Sequence, residues 1–323
     1  MSPTRRRFLR TAAPLTLAGL AGCGSGGFDD PDQQTEYTLS IDTVAASPTE
    51  HALYEPSDDP LFGEPARAAL ADIVPNGTHR NYGFTPLPED SYVAGEGRYF
   101  QIDTAVTGRR EMDRTLVRVT SLDDEAVGEG DGEESGGKTG EAAIHVDTLD
   151  RPSARVIKIL HSNSATGGAG ASADLLRKDA YVLRRPAERE SELATGDLDG
   201  AVVSMTEGGG FPYRVSVTTD SIREAEYTTR AIPVADDEAG FREVVFAAEI
   251  DAELDGASLS TAARELLERT RGGEHTESTP LSPAFAEVLA ALGVAGADES
   301  LNGELLWYDG QLYRYGLYVD RPD

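Results

Sequence analysis

Gly132-Glu133-Glu134-Ser135-Gly136-Gly137-Lys138-Thr139 reproduces the spacing of a phosphate-binding loop letter for letter. In such a loop, backbone N–H groups and the start of a following helix face the phosphates, and the lysine reaches the outer ones. That geometry needs a buried strand before the loop and a helix after it. Here an acidic glycine-rich run precedes it, and Gly140 leads into Glu141-Ala142-Ala143-Ile144-His145-Val146, which reads as linker and then strand. Glu133 and Glu134 would also meet the nucleotide's own negative charge, a repulsion of about 1 to 4 kcal/mol at contact distance. The match is therefore read as coincidence, and no nucleotide or other cofactor is expected.

The remaining reactive residue types are scattered. Five histidines (His51, His79, His145, His161 and His275) show no zinc-ligand spacing, and a single cysteine rules out a Cys₂His₂ site. There is no Gly-x-Ser-x-Gly elbow to announce a hydrolase triad. His161 beside Ser162 and Ser164 could pair a base with a nucleophile, but a histidine at a helix end is the simpler reading. Asp123-Asp124-Glu125, Asp131 to Glu134 and Asp197-Leu198-Asp199-Gly200 offer hard oxygen ligands of the kind calcium takes. In so acidic a chain they read as solvated charge. No metal site is expected, and the chain reads as a binding or scaffolding protein rather than an enzyme.

Binding chemistry is better represented. Trp307, Tyr308, Tyr313, Tyr315 and Tyr318 crowd one C-terminal segment, and such rings stack on sugars or anchor a protein partner. Alternation puts Tyr313, Tyr315 and Leu317 on one face and Arg314, Gly316 and Tyr318 on the other. Trp307, Arg314 and Tyr318 are the candidate binding patch, for a surface protein or a glycan. Asn76-Gly77-Thr78 is a glycosylation sequon in an expected exposed turn.

These residues need elements to position them, and one pattern recurs. Asp309-Gly310 tolerates the positive φ angles of a tight hairpin turn and lies between two apolar runs. Superposing Gly97, Gly210 and Gly310 aligns Phe100, Tyr213 and Tyr313 three positions on. Ile102, Val215 and Tyr315 follow at five, and Thr104, Val217 and Leu317 at seven. Every second residue thus belongs to one half-buried face. A helix precedes each hairpin: Glu64 to Val74, Pro152 to His161, and Leu259 to Arg271 with Ser260 as its cap. Strands are expected at Glu36 to Thr43, Leu116 to Val119, Ala142 to Leu149 and Val244 to Ile250. The predicted fold is α+β, with up to three tandem strand–helix–β-hairpin units and small antiparallel or mixed sheets. Residues 36–121 form unit 1, 122–140 an acidic glycine-rich linker, 141–235 unit 2 and 236–323 unit 3.

The N-terminus says where the chain works. Thr4-Arg5-Arg6-Arg7-Phe8-Leu9-Arg10 resembles the twin-arginine export consensus, an apolar run from Thr11 to Gly22 follows, and Leu20-Ala21-Gly22-Cys23 looks like a lipobox. The run contains Pro14 and is too short and too rich in Ala and Gly to span a bilayer as a stable helix. Residues 1–22 read as a signal peptide and 23–35 as a flexible tether. The lone cysteine excludes an internal disulfide and is accounted for by lipidation. The formal net charge of −28 implies a surface that repels nucleic acid.

With this acidity, twin arginines and lipobox, the chain resembles the Tat-exported lipoproteins of haloarchaea. Its third unit is similar to α+β units of uncharacterised haloarchaeal surface lipoproteins. Leu259-Ser260-Thr261-Ala262-Ala263-Arg264 and Asp309-Gly310-Gln311-Leu312-Tyr313 carry that likeness, which is weaker in the first unit and weakest in the second. The resemblance implies attachment to the extracytoplasmic face of the cell membrane through a lipid on Cys23, and work in molar salt. It implies no particular activity. An extracytoplasmic enzyme or solute-binding receptor, with a cleft between units, is the alternative.

Overall fold

The computed structural model describes residues 34–75, 77–122, 143–168 and 175–322. Cys23, Asn76, the phosphate-loop match and the acidic clusters at 123–125 and 131–134 lie outside them. Along the chain come β1 (Glu36–Thr43), α1 (Pro48–Ala52), α2 (Pro60–Ile73), β2 (Thr78–Tyr82), β3 (Tyr92–Gly95) and β4 (Arg98–Ser121). Next are β5 (Ile144–His145), α3 (Arg151–Ala165), β6 (Leu176–Arg177), β7 (Ala180–Val182), α4 (Pro186–Arg189) and α5 (Glu192–Thr195). β8 (Val202–Ser204), β9 (Tyr213–Ala235), α6 (Glu238–Ala248) and β10 (Ala252–Leu254) follow. The chain ends with α7 (Thr261–Thr270), β11 (Gly273–Ser278), α8 (Pro283–Ala291), β12 (Leu301–Tyr308) and β13 (Gln311–Asp320). Short helices beside small mixed sheets make this an α+β protein, as its periodicities predict.

The described residues fall into two compact units, the larger made of Asp42–Ser258 with Gly303–Tyr315. Its spine is the antiparallel pair β4 and β9, in register from Tyr99 opposite Ala235 to Ser121 opposite Tyr213, with irregularities at Tyr99/Phe100 and Val106/Gly108. The sheet order is β5-β8-β9-β4-β7-β6, with β2 added to β9 and β3 to β4. Toward one end of the spine, Ala66, Ala69 and Ile73 of α2 bury against Val93, Phe100 and Ile102. Toward the other, Val156, Ile157 and Leu160 of α3 bury against Val117, Tyr181, Val203 and Val215. Three and four residue spacings on each helix meet alternate residues on each strand, the two periods of an α+β core.

The expected hairpin faces are present. Phe100, Tyr213 and Tyr313 are buried, and so are Ile102, Val215, Tyr315 and Leu317. Gly97 and Gly310 are left-handed, both at φ 77°, but in the second hairpin that role belongs to Gly209 at φ 79°, not Gly210. Two expectations need correction. Leu116 to Val119 is no separate strand: it continues β4, so strands expected in units 1 and 2 share one sheet. Val244 to Ile250, expected as a strand from its apolar β-branched pair, falls largely within α6. Asp237 accepts the Gly240 N–H at 2.8 Å and starts the helix, and Phe241 and Val245, four apart, form its buried stripe.

In the larger unit β10 runs parallel to β12, and the start of β13 lies next to β12 in the sheet. The smaller unit comprises the described residues up to Ile41, Leu259–Asn302 and the stretch from Gly316. There β1 pairs antiparallel with β11, from Glu36 opposite Ser278 to Ser40 opposite Glu274. Ser260 caps α7 through the Ala263 N–H at 3.2 Å, as its position predicts, and its own N–H donates to Glu287 of α8 at 2.7 Å.

Candidate arginine-lined binding site

The richest site chemistry lies in the larger unit, where β2, β4, β9 and the corner after β7 converge. Alternation along β4 points Met112, Arg114 and Leu116 to one face, and Arg114 is only 6% exposed. On β9 the inward pair is Ile222 and Glu224, the latter 4% exposed. Glu224 lies opposite Arg110 in register, so the long Arg114 side chain runs back along the sheet to approach it. Arg114 Nε faces Glu224 Oε1 at 3.4 Å, an ion-pair distance without hydrogen-bond alignment, and Nε is a buried donor with no hydrogen-bond acceptor. Nη2 donates to the Tyr82 carbonyl at 3.2 Å. Burial pulls the guanidinium's pKa down, Glu224 opposes that shift, and the positive charges of Arg189 and Arg184 reinforce it.

Arg184 approaches from the corner after β7 and donates from Nε to Glu224 Oε1 at 2.8 Å. The backbone passes close above this pair. A Cβ on Gly83, at φ 80°, would come within 2.7 Å of Glu224 Cδ and 2.6 Å of Arg184 Nε, so only glycine fits. Behind the corner is a second buried carboxylate, Glu188. It accepts the Arg184 and Arg185 backbone N–H groups, each at 2.9 Å, and the Tyr181 hydroxyl at 2.7 Å. Arg155 in turn donates to the Tyr181 oxygen at 2.7 Å, and the Arg155 and Arg185 guanidiniums each stand 3.6 Å from Glu188. This network fixes the segment that carries Arg184 and Arg189.

Tyr181 supplies a pH test of that packing. Burial, then Glu188, push its phenol pKa up to about 12, against about 10 in an unfolded chain. The folded state therefore favours the neutral phenol, and its stabilisation is complete below pH ~10 and lost as pH climbs through the folded value. That gap corresponds to about 2 to 3 kcal/mol. Tyr315 shifts in the same direction, chiefly through burial. Denaturation midpoints measured across the alkaline range should fall more steeply for the native chain than for Tyr181→Phe. Equal slopes would show that water reaches the phenol.

In front of the corner is a cavity of about 260 Å³. Arg80, Arg114, Arg184, Arg189 and His79 give its polar wall, and Pro65, Tyr82, Phe84, Met112 and Pro186 its apolar one. Asp72 holds His79 through Nδ1 at 2.8 Å. Arg80 lies 3.9 Å from Glu226, and Arg189 is exposed with no ion pair among the described residues. Pro65 and Phe84 also line a neighbouring groove of about 270 Å³ walled by Tyr54, Phe62 and Pro88.

No family model, curated protein or solved structure matches this chain.

The sequence-derived candidates lie elsewhere. Trp307 is half-buried, its ring edge-on to Phe246 at 5.5 Å with the Arg242 guanidinium 5.1 Å away, so much of it serves the core around Leu305 and Leu312. Arg314 and Tyr318 are exposed. His161 bonds through Nδ1 to the Tyr213 hydroxyl at 2.8 Å, a packing role that ties α3 to β9. Asp197 accepts from Thr195 and Asp199 from the Val217 N–H, so the first braces its own loop and the second ties that loop to β9. Among the described residues no group of His, Cys, Asp and Glu could hold a metal ion. The arginine cluster escaped the sequence reading, although it left a trace: opposite charges at inward-facing positions, Arg114 between Met112 and Leu116, and Glu224 beside Ile222.

Proposed function

We propose that this chain is an extracytoplasmic protein, held at the outer face of the cell membrane by a lipid on Cys23, whose body is a non-catalytic binding module. The ordered succession of twin arginines, apolar run and lipobox carries the placement, because each part is of little weight alone and the three follow in the sequence export requires. No helix among the described residues is long and apolar enough to cross a membrane. Cys23 is the sole cysteine of the chain, so a thiol-linked lipid is expected to depend on that one residue.

Binding, as against catalysis, is supported by the chemistry of the cavity: fixed positive charge and apolar wall hold a ligand in place. The second reading, an extracytoplasmic enzyme or a receptor for a small solute, gains from the same cavity, which residues of the expected units 1 and 2 line together. Arg314 in the larger unit and Tyr318 in the smaller are each exposed, and each remains a candidate contact for a protein or glycan partner.

Cys23→Ser tests the anchor. The native chain should sediment with membranes and partition into detergent, and the variant should move to the soluble or secreted fraction with its body folded. Undiminished membrane retention of the variant would overturn the assignment.

A further inference from the structure

We infer that the cavity between α1, the turn before β3 and the C-terminal end of α6 binds a small aliphatic amine in its ammonium form, with the charge on Glu249, Asp90 and the Tyr92 hydroxyl and the carbon chain on Pro48, Ala52 and Leu305. The cavity holds about 250 Å³, lies within the larger unit and shares no lining residue with the arginine-lined one. The inference gives the binding-module reading a ligand class and rests on it. Charge sign is the first support. Glu89, Asp90 and Glu249 line the cavity, and none of the three carboxylates has an ion pair or a side-chain hydrogen bond among the described residues. No lysine or arginine lines it, and His51, even when protonated, would answer only one of the three charges. Glu249 also caps α6, where the free carbonyls of the last turn add negative potential.

The second support is Tyr92. It is only 7% exposed and its ring stands edge-on to Phe241 at 5.4 Å, yet its hydroxyl makes no hydrogen bond among the described residues. A buried tyrosine ordinarily finds a partner for that group. Burial first, then Glu249 and Asp90, push the phenol's pKa up, so its polar end lies within reach of both carboxylates of the cavity. The frame around it is already fixed. The Asp90 N–H donates to the Ile102 carbonyl at 3.1 Å, the Ile102 N–H to the Ser91 carbonyl at 2.8 Å, and the Tyr54 N–H to the Tyr92 carbonyl at 2.8 Å. Little backbone ordering is therefore left for a ligand to bring about.

The acceptors select the ligand's chemistry. An ammonium carries three donors and no acceptor, which suits two carboxylates and a hydroxyl oxygen. A bare metal ion fits less well, because no group of His, Cys, Asp and Glu among the described residues could hold one. It would also leave the wall of Pro48, Ala52 and Leu305 without a contact. The cavity is smaller than the range of about 300 to 1,000 Å³ that accommodates drug-sized molecules, so the carbon chain is short.

The test titrates the purified full-length chain calorimetrically with n-butylamine and with 1,4-diaminobutane, in a buffer where circular dichroism shows it folded. Saturable one-to-one binding of either amine supports the inference, and the tighter of the two assigns one ammonium or two. Glu249→Gln should lower affinity about tenfold, the effect of one lost charged contact. Tyr92→Phe removes only a hydroxyl that bonds to nothing in the free chain, so melting should not fall while affinity drops about threefold to tenfold. Glu207→Gln, at an exposed acid outside the cavity, should leave affinity intact. Absence of saturable binding by both amines, full affinity in the Glu249→Gln/Tyr92→Phe double variant, or an equal loss with Glu207→Gln overturns the inference. Calcium chloride that displaces the amine at lower concentration would overturn it in favour of a metal. None of these results bears on the anchor, which fractionation of Cys23→Ser reads separately, or on the arginine-lined cavity.

Discussion

Glu188→Ala is expected to destabilise the larger unit by about 3 to 5 kcal/mol, the cost of removing one partner from a buried charged network. The carboxylate is 1% exposed and accepts from two backbone N–H groups and one phenol, with two guanidiniums beside it. Alanine would leave the Arg184 and Arg185 amides without their acceptor and Tyr181 pressed against a void. Such orphaned donors cost about 1 to 3 kcal/mol apiece when water cannot reach them. A domain's whole stability is typically about 5 to 15 kcal/mol, so the variant should approach the edge of folding. Glu188→Gln keeps an acceptor oxygen for the amides and gives up the charge, and should fall between the two. Chemical denaturation in molar salt measures all three chains. A loss under about 1 kcal/mol for alanine would mean that water enters and replaces the carboxylate.

How far the sequence foretold this can be judged element by element. The hairpins were legible because two signals coincide at each: a glycine that tolerates positive φ, and alternation that puts Phe100, Tyr213 or Tyr313 inward. The cap at Ser260 was equally local, since a hydroxyl before a helix acts on a backbone N–H three residues on. The pairing of β4 with β9 was not legible, because more than a hundred residues separate many of the partners and register depends on the whole sheet. α6 was misjudged because Val244 and Val245 favour strands in isolation, while burial of Phe241 and Val245 on one helical stripe decides otherwise. The arginine-lined candidate site was hidden for a different reason. Arginine and glutamate are read by default as surface residues, and only the fold reveals that Arg114, Glu188 and Glu224 lie inside it.

Dialysis into dilute buffer is expected to unfold the chain. With 57 acidic against 29 basic side chains, about half of the carboxylates cannot find a cationic partner of their own. The ion pairs that do form at the surface, such as Arg98 with Asp236 and Arg230 with Asp103, hold exposed groups and contribute less than about 1 kcal/mol each. Repulsion among the unpaired carboxylates is confined to touching neighbours when the screening length is about 3 Å, at molar salt. At a tenth of that concentration it reaches about 10 Å, and each carboxylate then acts on many others. The opposing force is the apolar core, whose clusters at the ends of the β4–β9 spine are built mostly from medium-sized residues such as Val, Ile, Leu and Ala. Their hydrophobic contribution also weakens when a strongly excluded salt is withdrawn. Circular dichroism followed during stepwise dialysis should therefore show a cooperative loss of structure, reversed by restoring salt. If spectrum and melting temperature persist unchanged in dilute buffer, the surface charge is paired or tolerated by other means, and adaptation to molar salt is excluded.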